Sequence, residues 1–204
     1  MKVLTDICII GAGPVGLFAV FQAGLLKMRC HVIDVSPEGG SQVATKFQHK
    51  QMCSVFENSN ISASGLIGDL MEQINPFDPG FTREESIERL SCLEDGRFKL
   101  MTENGTQINC RAVVFIGQHP ILGLISDCNV KIDHSIIEVN NWDYQTIIPG
   151  IFAIEDYYTY SDTMVSLIPG FIKASLVSQG AFKFIHPLKN LCFDQLIAND
   201  ITCK

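Results

Sequence analysis

Six residues near the start of the chain, Gly11-Ala12-Gly13-Pro14-Val15-Gly16, have the types and spacing of a loop that holds a pyrophosphate. In that chemistry the first glycine permits the tight turn and the second lets backbone approach phosphate oxygens. The third lets the following helix pack closely on the strand. The helix start then offers free N–H groups and the positive end of its dipole to an anion. Asp34 lies 18 residues beyond Gly16 (34 − 16), where an acid accepts hydrogen bonds from a ribose. Gly11, Gly13, Pro14, Val15, Gly16 and Asp34 are therefore candidate nucleotide-binding residues. A G-x-G-x-x-G alone also arises as a plain turn, and it does not choose between NAD and FAD.

Other reactive residue types form no constellation. The histidines at 31, 49, 119, 134 and 186 lack a catalytic spacing, and Ser41 and Ser54 have no His/Asp pairing for nucleophilic work. Eight cysteines contain no C-x-x-C pair, so neither a zinc site nor a disulfide framework is expected. Buried thiols in a reducing compartment are the plain expectation. Lys46 and Lys50 read as a polar loop face.

The elements that must position the glycine loop are legible around it. Val3 to Ile10 is apolar apart from Thr5 and Asp6, as in a strand buried on both faces. Leu17, Val20, Phe21, Gly24 and Leu25 then recur at helical spacing, and a second strand runs from Cys30 to Val35. Together these make one β-α-β unit. Ser36 to Asn60 reads as irregular. A helix is expected over Ser64 to Ile74, stopped by Pro76 and Pro79. A three-stranded β-meander should follow, over Ser86 to Leu93, Phe98 to Thr102 and Gln107 to Ile116. Asp95-Gly96 and Asn104-Gly105 supply its turns. Ile136, Ile137 and Val139 suggest a short strand and Ile151 to Ile154 another, before an amphipathic helix over Ile168 to Phe184.

Composition agrees with one packed α/β domain. With 47% hydrophobic and 18% charged residues the 204-residue chain can bury a core. A net charge of −7 argues against nucleic acid or an anionic membrane as partner. The apolar start is too short to span a bilayer and lacks a cleavage site, so a cytoplasmic protein is expected.

The chain resembles the thioredoxin-reductase-like ferredoxin (flavodoxin)–NADP reductases. The match is carried by CIIGAGPVGLFAVFQAGL, GGSQVATKFQHK, LMEQINPF and VVFIGQHP, and later by NNWDYQTIIPGIFAIED, TYSDTMVSLIPGF and FIHP. The resemblance implies a Rossmann-like FAD-binding domain in which a parallel sheet is joined by a three-stranded β-meander. It implies FAD as cofactor, a homodimer, and electron transfer from NADPH to ferredoxin or flavodoxin. It adds Gly40, Gln42, Ser54, Ile87, Gly117 and Asp156 to the cofactor-binding set.

The family carries an inserted NADPH domain after the meander. Here Gly117-Gln118-His119-Pro120 runs almost directly into the re-entry segment, and no second glycine fingerprint occurs. The expectation is one domain over 1–204, built from 1–119 and a return segment 120–204, with no dedicated site for NADPH. Smaller departures fall at cofactor positions. Glu155 and Ile172 stand where the family has glycine, Ser54 where it has an acid, Ser41 within the Gly-Gly-Gln loop, and Thr163 and Val165 in place of two lysines. Tyr157, Tyr158, Tyr160 and Phe171 cluster near the expected flavin ring, though core or dimer contact is their plainer role.

Three functions remain open from sequence. One is an FAD-binding oxidoreductase that takes electrons from free NADPH or a separate donor, or is inactive. Another is a non-catalytic remnant serving as a dimeric binding or structural module. The third is a single-domain NAD enzyme, which the meander argues against.

Overall fold

The computed structural model describes residues 2–37, 51–53, 60–117, 132–133, 136–154, 159–160 and 164–189. Its first half contains β1 (Lys2–Leu4), β2 (Ile7–Ile10), α1 (Pro14–Leu25), β3 (Cys30–Asp34), β4 (Gln51–Cys53), β5 (Asn60–Ile61), α2 (Ala63–Ile74) and β6 (Gly80–Arg83). The meander is β7 (Ile87–Cys92), β8 (Phe98–Thr102) and β9 (Gln107–Cys110), followed by β10 (Ala112–Ile116). Then come β11 (Ile132–Asp133), β12 (Ile136–Ile137), β13 (Ile151–Ile154), β14 (Thr159–Tyr160), β15 (Met164–Ser166) and α3 (Ile168–Ile185).

A five-stranded parallel sheet, in the order β13-β10-β2-β3-β6, forms the middle layer. Side chains of a strand alternate between faces, and here both faces are covered. Ile7, Ile9, Val32, Val114 and Phe152 pack towards α1, α2 and α3. Cys8, Ile10, Ile33, Val113 and Phe115 pack on the opposite face against Leu90, Phe98, Leu100 and Ile108 of the meander. The uninterrupted apolar runs in β2 and β10 follow from this two-sided burial.

The meander turns form as their sequences demand. Gly96 and Gly105 have φ of 77° and 81°, and antiparallel pairing links β7 to β8 and β8 to β9. Two expected strands are nevertheless each divided. The run from Val3 to Ile10 splits into β1, which pairs with β9 in the meander sheet, and β2, which lies in the parallel sheet. The run from Gln107 to Ile116 splits at Arg111 into β9 and β10 for the same reason. Both crossings meet at one point, where the Asp6 carbonyl accepts the Arg111 and Ala112 N–H groups at 2.9 and 3.1 Å. The Asp6 carboxylate accepts the backbone N–H and Nε of Arg29. Burial works to raise the pKa of Asp6, but these bonds and the charges of Arg29 and Arg111 hold it below the ordinary carboxylate value. β1 is largely exposed, with Leu4 56% exposed, yet Val3 and Leu4 are apolar, so the run reads on into β2 and only Thr5-Asp6 marks the crossing.

β6 also escaped the sequence reading. It pairs in parallel with β3 and buries the imidazole of His31, which is 4% exposed. Nε2 of His31 lies 2.8 Å from the Thr82 hydroxyl. A Cβ on Gly80 would come within 2.4 Å of Nδ1, so glycine opens the space for this ring. Gly24 of α1 has a similar role, since a Cβ there would lie 2.3 Å from the Phe77 ring.

Two outcomes follow from this packing. Gly24→Ala gains about 1 kcal/mol of helix propensity but forces an overlap worth about 1–3 kcal/mol. Urea unfolding should therefore show a net loss of stability, and a gain would contradict the packing. Burial lowers the pKa of His31, so the folded chain holds it neutral while the unfolded chain protonates at the ordinary value. This favours the unfolded chain as pH falls. Stability should drop between about pH 7 and pH 5, with a shallower drop in His31→Gln. Equal slopes would exclude His31 as the cause.

Candidate functional site

The glycine loop joins β2 to α1. Gly11 has φ 110°, a conformation that L side chains rarely adopt, and its N–H bonds to the Ile33 carbonyl at 2.9 Å. Gly13 caps the helix in extended backbone, φ −67° and ψ 174°. Any residue can adopt those angles, so Gly13 contributes its lack of a side chain. Pro14 occupies the first helical position, where a missing N–H costs nothing. A Cβ on Gly16 would sit 1.9 Å from the Gly11 carbonyl oxygen, so the helix start rests directly on the turn.

This packing determines where the loop amides go. The Leu17 N–H closes the first helical bond onto Gly13, at 2.9 Å. The N–H groups of Gly13, Val15 and Gly16 have no backbone acceptor among the described residues, as helix geometry requires. Those three donors, with the positive helix end behind them and no side-chain cap competing, form a cradle for an anion.

Asp34 closes the cradle from the side. It is 8% exposed, and one carboxylate oxygen accepts the Ala12 N–H while the other accepts the Ser36 N–H at 2.7 Å. Each oxygen keeps a free lone pair for a ribose hydroxyl. Sequence spacing made Asp34 a candidate to accept from a ribose; it did not reveal that the same carboxylate ties the glycine loop to β3.

Strand order places the cradle within the sheet. From β2 the chain builds outward to β3 and β6 on one side, then returns through β10 and β13 on the other. The order reverses between β2 and β10, and the crevice beyond the carboxyl ends there is where such sheets take ligands. Gly117, at the end of β10, has φ 93° and donates to the Ile154 carbonyl at 2.9 Å. Gly11 and Gly117 therefore flank one crevice. A dinucleotide pyrophosphate fits this donor set.

Ile87 begins β7, is 8% exposed as a whole residue and packs into the meander core. Gly40, Gln42, Ser54 and Asp156 lie outside the described residues, as do Ser41, Glu155, Tyr157, Tyr158 and Thr163. Phe171 stacks on Phe18, ring centroids 4.6 Å apart, within the helix-side core. It is a packing residue. Ile172, one position on, is 57% exposed.

The sequence reading missed the turn between β6 and β7. The Glu85 N–H donates to the Asp34 carbonyl at 3.3 Å, which brings this turn to the edge of the cradle. Thr-Arg-Glu-Glu-Ser carries no signal beyond that of a solvated turn. Among the described residues no group of His, Cys, Asp and Glu could hold a metal ion, and no helix is long and apolar enough to cross a membrane.

No family model matches the chain. Curated relatives do. A ferredoxin–NADP reductase of Wolbachia pipientis from Culex pipiens is 36% identical over 152 residues, covering 71% of this chain and 46% of that protein. Ferredoxin–NADP reductase 1 of Christiangramia forsetii is 46% identical over 113 residues, covering 55% of this chain and 32% of that protein. The chain thus spans less than half the length of these relatives. Among solved structures, a thioredoxin reductase from Gloeobacter violaceus superposes with a TM-score of 0.73 at 12% identity, covering 94% of this chain and 98% of its own. A ferredoxin–flavin thioredoxin reductase from Clostridium acetobutylicum gives 0.69 at 11% identity, covering 92% and 100%. The chain is a partial homologue of the ferredoxin–NADP reductases, built on a thioredoxin-reductase-like Rossmann fold.

Proposed function

We propose that this chain binds FAD through the β2–α1 loop and serves as the flavin-holding part of an oxidoreductase. The observation that carries the reading is the donor cradle of Gly13, Val15 and Gly16, closed by the Asp34–Ala12 bond at the switch point of the sheet. In the bound state those amides would hold the pyrophosphate and Asp34 the ribose, with Gly40, Gln42, Ser54 and Asp156 completing the site. Ile87 would contribute through its backbone. The flavin would supply electron transfer.

The segments before and after residue 119 pair within one sheet, through β10 and β13, which supports a single domain. The chain between those strands, 117–150, is much shorter than the roughly 100 residues an inserted nucleotide lobe needs. A nicotinamide must be held at near-attack distance for hydride transfer, so transfer from NADPH to ferredoxin or flavodoxin is impaired unless a separate donor delivers the electrons. A cytoplasmic homodimer belongs to the same reading.

A second reading, a non-catalytic dimeric or binding module, is favoured by Ile172. It stands exposed near the start of α3, where glycine would leave room for the flavin ring.

Incubation with FAD followed by desalting should leave a yellow protein, with little NADPH oxidation by itself. A colourless product would remove the first reading, and rapid NADPH turnover would remove the second. Asp34→Ala frees the Ala12 and Ser36 amides and should weaken FAD binding at least roughly tenfold by fluorescence quenching. Unchanged affinity would show that the loop does not hold the cofactor.

A further inference from the structure

The turn from β6 to β7 is held in a fixed shape. Glu84 sits at φ 57°, a left-handed conformation unfavourable for a residue with a β-carbon. Glu85 is joined to the Asp34 carbonyl through its N–H. On the other side, the Ser86 N–H and hydroxyl both donate to the Glu103 carboxylate, at 3.2 and 3.0 Å. The backbone of the turn is thus bound to the carboxyl end of β3 and braced by the end of β8.

Within this turn Glu85 Oε2 is buried with no hydrogen-bond partner among the described residues. A carboxylate oxygen removed from water without a donor is strongly unfavourable. Such an atom in a folded protein points to a donor supplied from elsewhere. Asp34 cannot supply one, since its carboxylate is itself an acceptor already engaged by two amides. The backbone bond from Glu85 to Asp34 brings the turn that carries this acceptor to the strand end that carries the Asp34 carboxylate. Phosphate oxygens and flavin carbonyls are acceptors too. The donors of FAD are the ribityl hydroxyls and N3–H of its flavin half and those of its adenosine half, and the adenosine half is the one that Asp34 would hold at this strand end. It carries its donors on the ribose hydroxyls and on the exocyclic amine of adenine.

We propose that Glu85 is a cofactor-contacting residue whose carboxylate accepts a hydrogen bond from the adenosine moiety and so selects nucleotides that present that donor. The proposal rests on the FAD reading above. Glu85 is partly exposed as a whole, and the broad terminal torsion of a glutamate lets its carboxyl turn towards an entering ligand. Glu85 and Asp34 then read the nucleoside from adjacent strand ends, while the glycine loop reads its phosphates.

The test titrates ADP by calorimetry into the unaltered chain, Glu85→Ala and Glu85→Gln, and melts each without nucleotide. Glu85→Ala should bind ADP about tenfold or more weakly. Without nucleotide it should melt no lower than the unaltered chain, because an unpaired buried oxygen has been removed. Glu85→Gln, which keeps a neutral acceptor, should fall between. The unaltered chain should prefer ADP to 2′-deoxy-ADP if the ribose is the donor, or to IDP if the amine is. In Glu85→Ala the preference over IDP should disappear, and that over 2′-deoxy-ADP should shrink to the part that Asp34 contributes. ADP affinity within about twofold in Glu85→Ala, or a lower melting temperature with equal loss for all three nucleotides, would overturn the proposal while leaving the FAD reading intact. If the unaltered chain binds neither ADP nor FAD, both fall together.

Discussion

The middle sheet is dry on both sides, and most of the architecture follows from that constraint. Every residue of β2 and β10 is buried, with helices over one face and the meander over the other. A fully buried aliphatic side chain contributes about 1.5–3 kcal/mol, so these two strands anchor the helix layer and the meander together. Because they lie next to each other, their carboxyl ends open at the same place. The glycine loop after β2 and Gly117 after β10 meet there, and the crevice is a consequence of strand order.

A second coupling links this scaffold to the site. One carboxylate, Asp34, joins the end of β3 to the loop through Ala12 and sets the next turn through Ser36. The Asp34 carbonyl receives the Glu85 amide. Loop, strand end and neighbouring turn are therefore positioned by one residue, and a nucleotide would meet a site whose polar groups are already oriented. Such preorganisation lowers the cost of ordering on binding. It also accounts for the near-complete burial of an acid that a freely solvated ribose contact would not require.

Particular residues show which features were legible in the chain. Gly11, Gly13 and Gly16 announced the loop because each has a separate physical reason to be glycine, and Asp95-Gly96 and Asn104-Gly105 announced the meander turns. The helix over 63–74 and the one over 168–185 fell within a residue of their expected bounds, since their apolar spacing and flanking prolines act locally. The divisions at Asp6 and Arg111 were not legible. Val3 and Leu4 are apolar although β1 is largely exposed, and one or two polar residues, Thr5-Asp6 and Arg111, are all that interrupts each run, which is too little to tell a crossing from a polar position within a strand. β6 was hidden too, because Gly80 there answers to the ring of His31 and not to any strand preference of its own.

The chain alone determined that a glycine turn must lie between a buried strand and a helix, because glycine spacing and apolar runs are properties of neighbours in sequence. It determined an acid at the end of the second strand on the same ground. Tertiary structure decided what these residues do to one another. It assigned Asp34 to two backbone amides, set the Gly16 position against the Gly11 carbonyl, and brought the Glu85 turn to the edge of the cradle with a carboxylate oxygen unpaired among the described residues. Those relations depend on strands that pair across long stretches of sequence, and contacts of that range leave no local pattern to read.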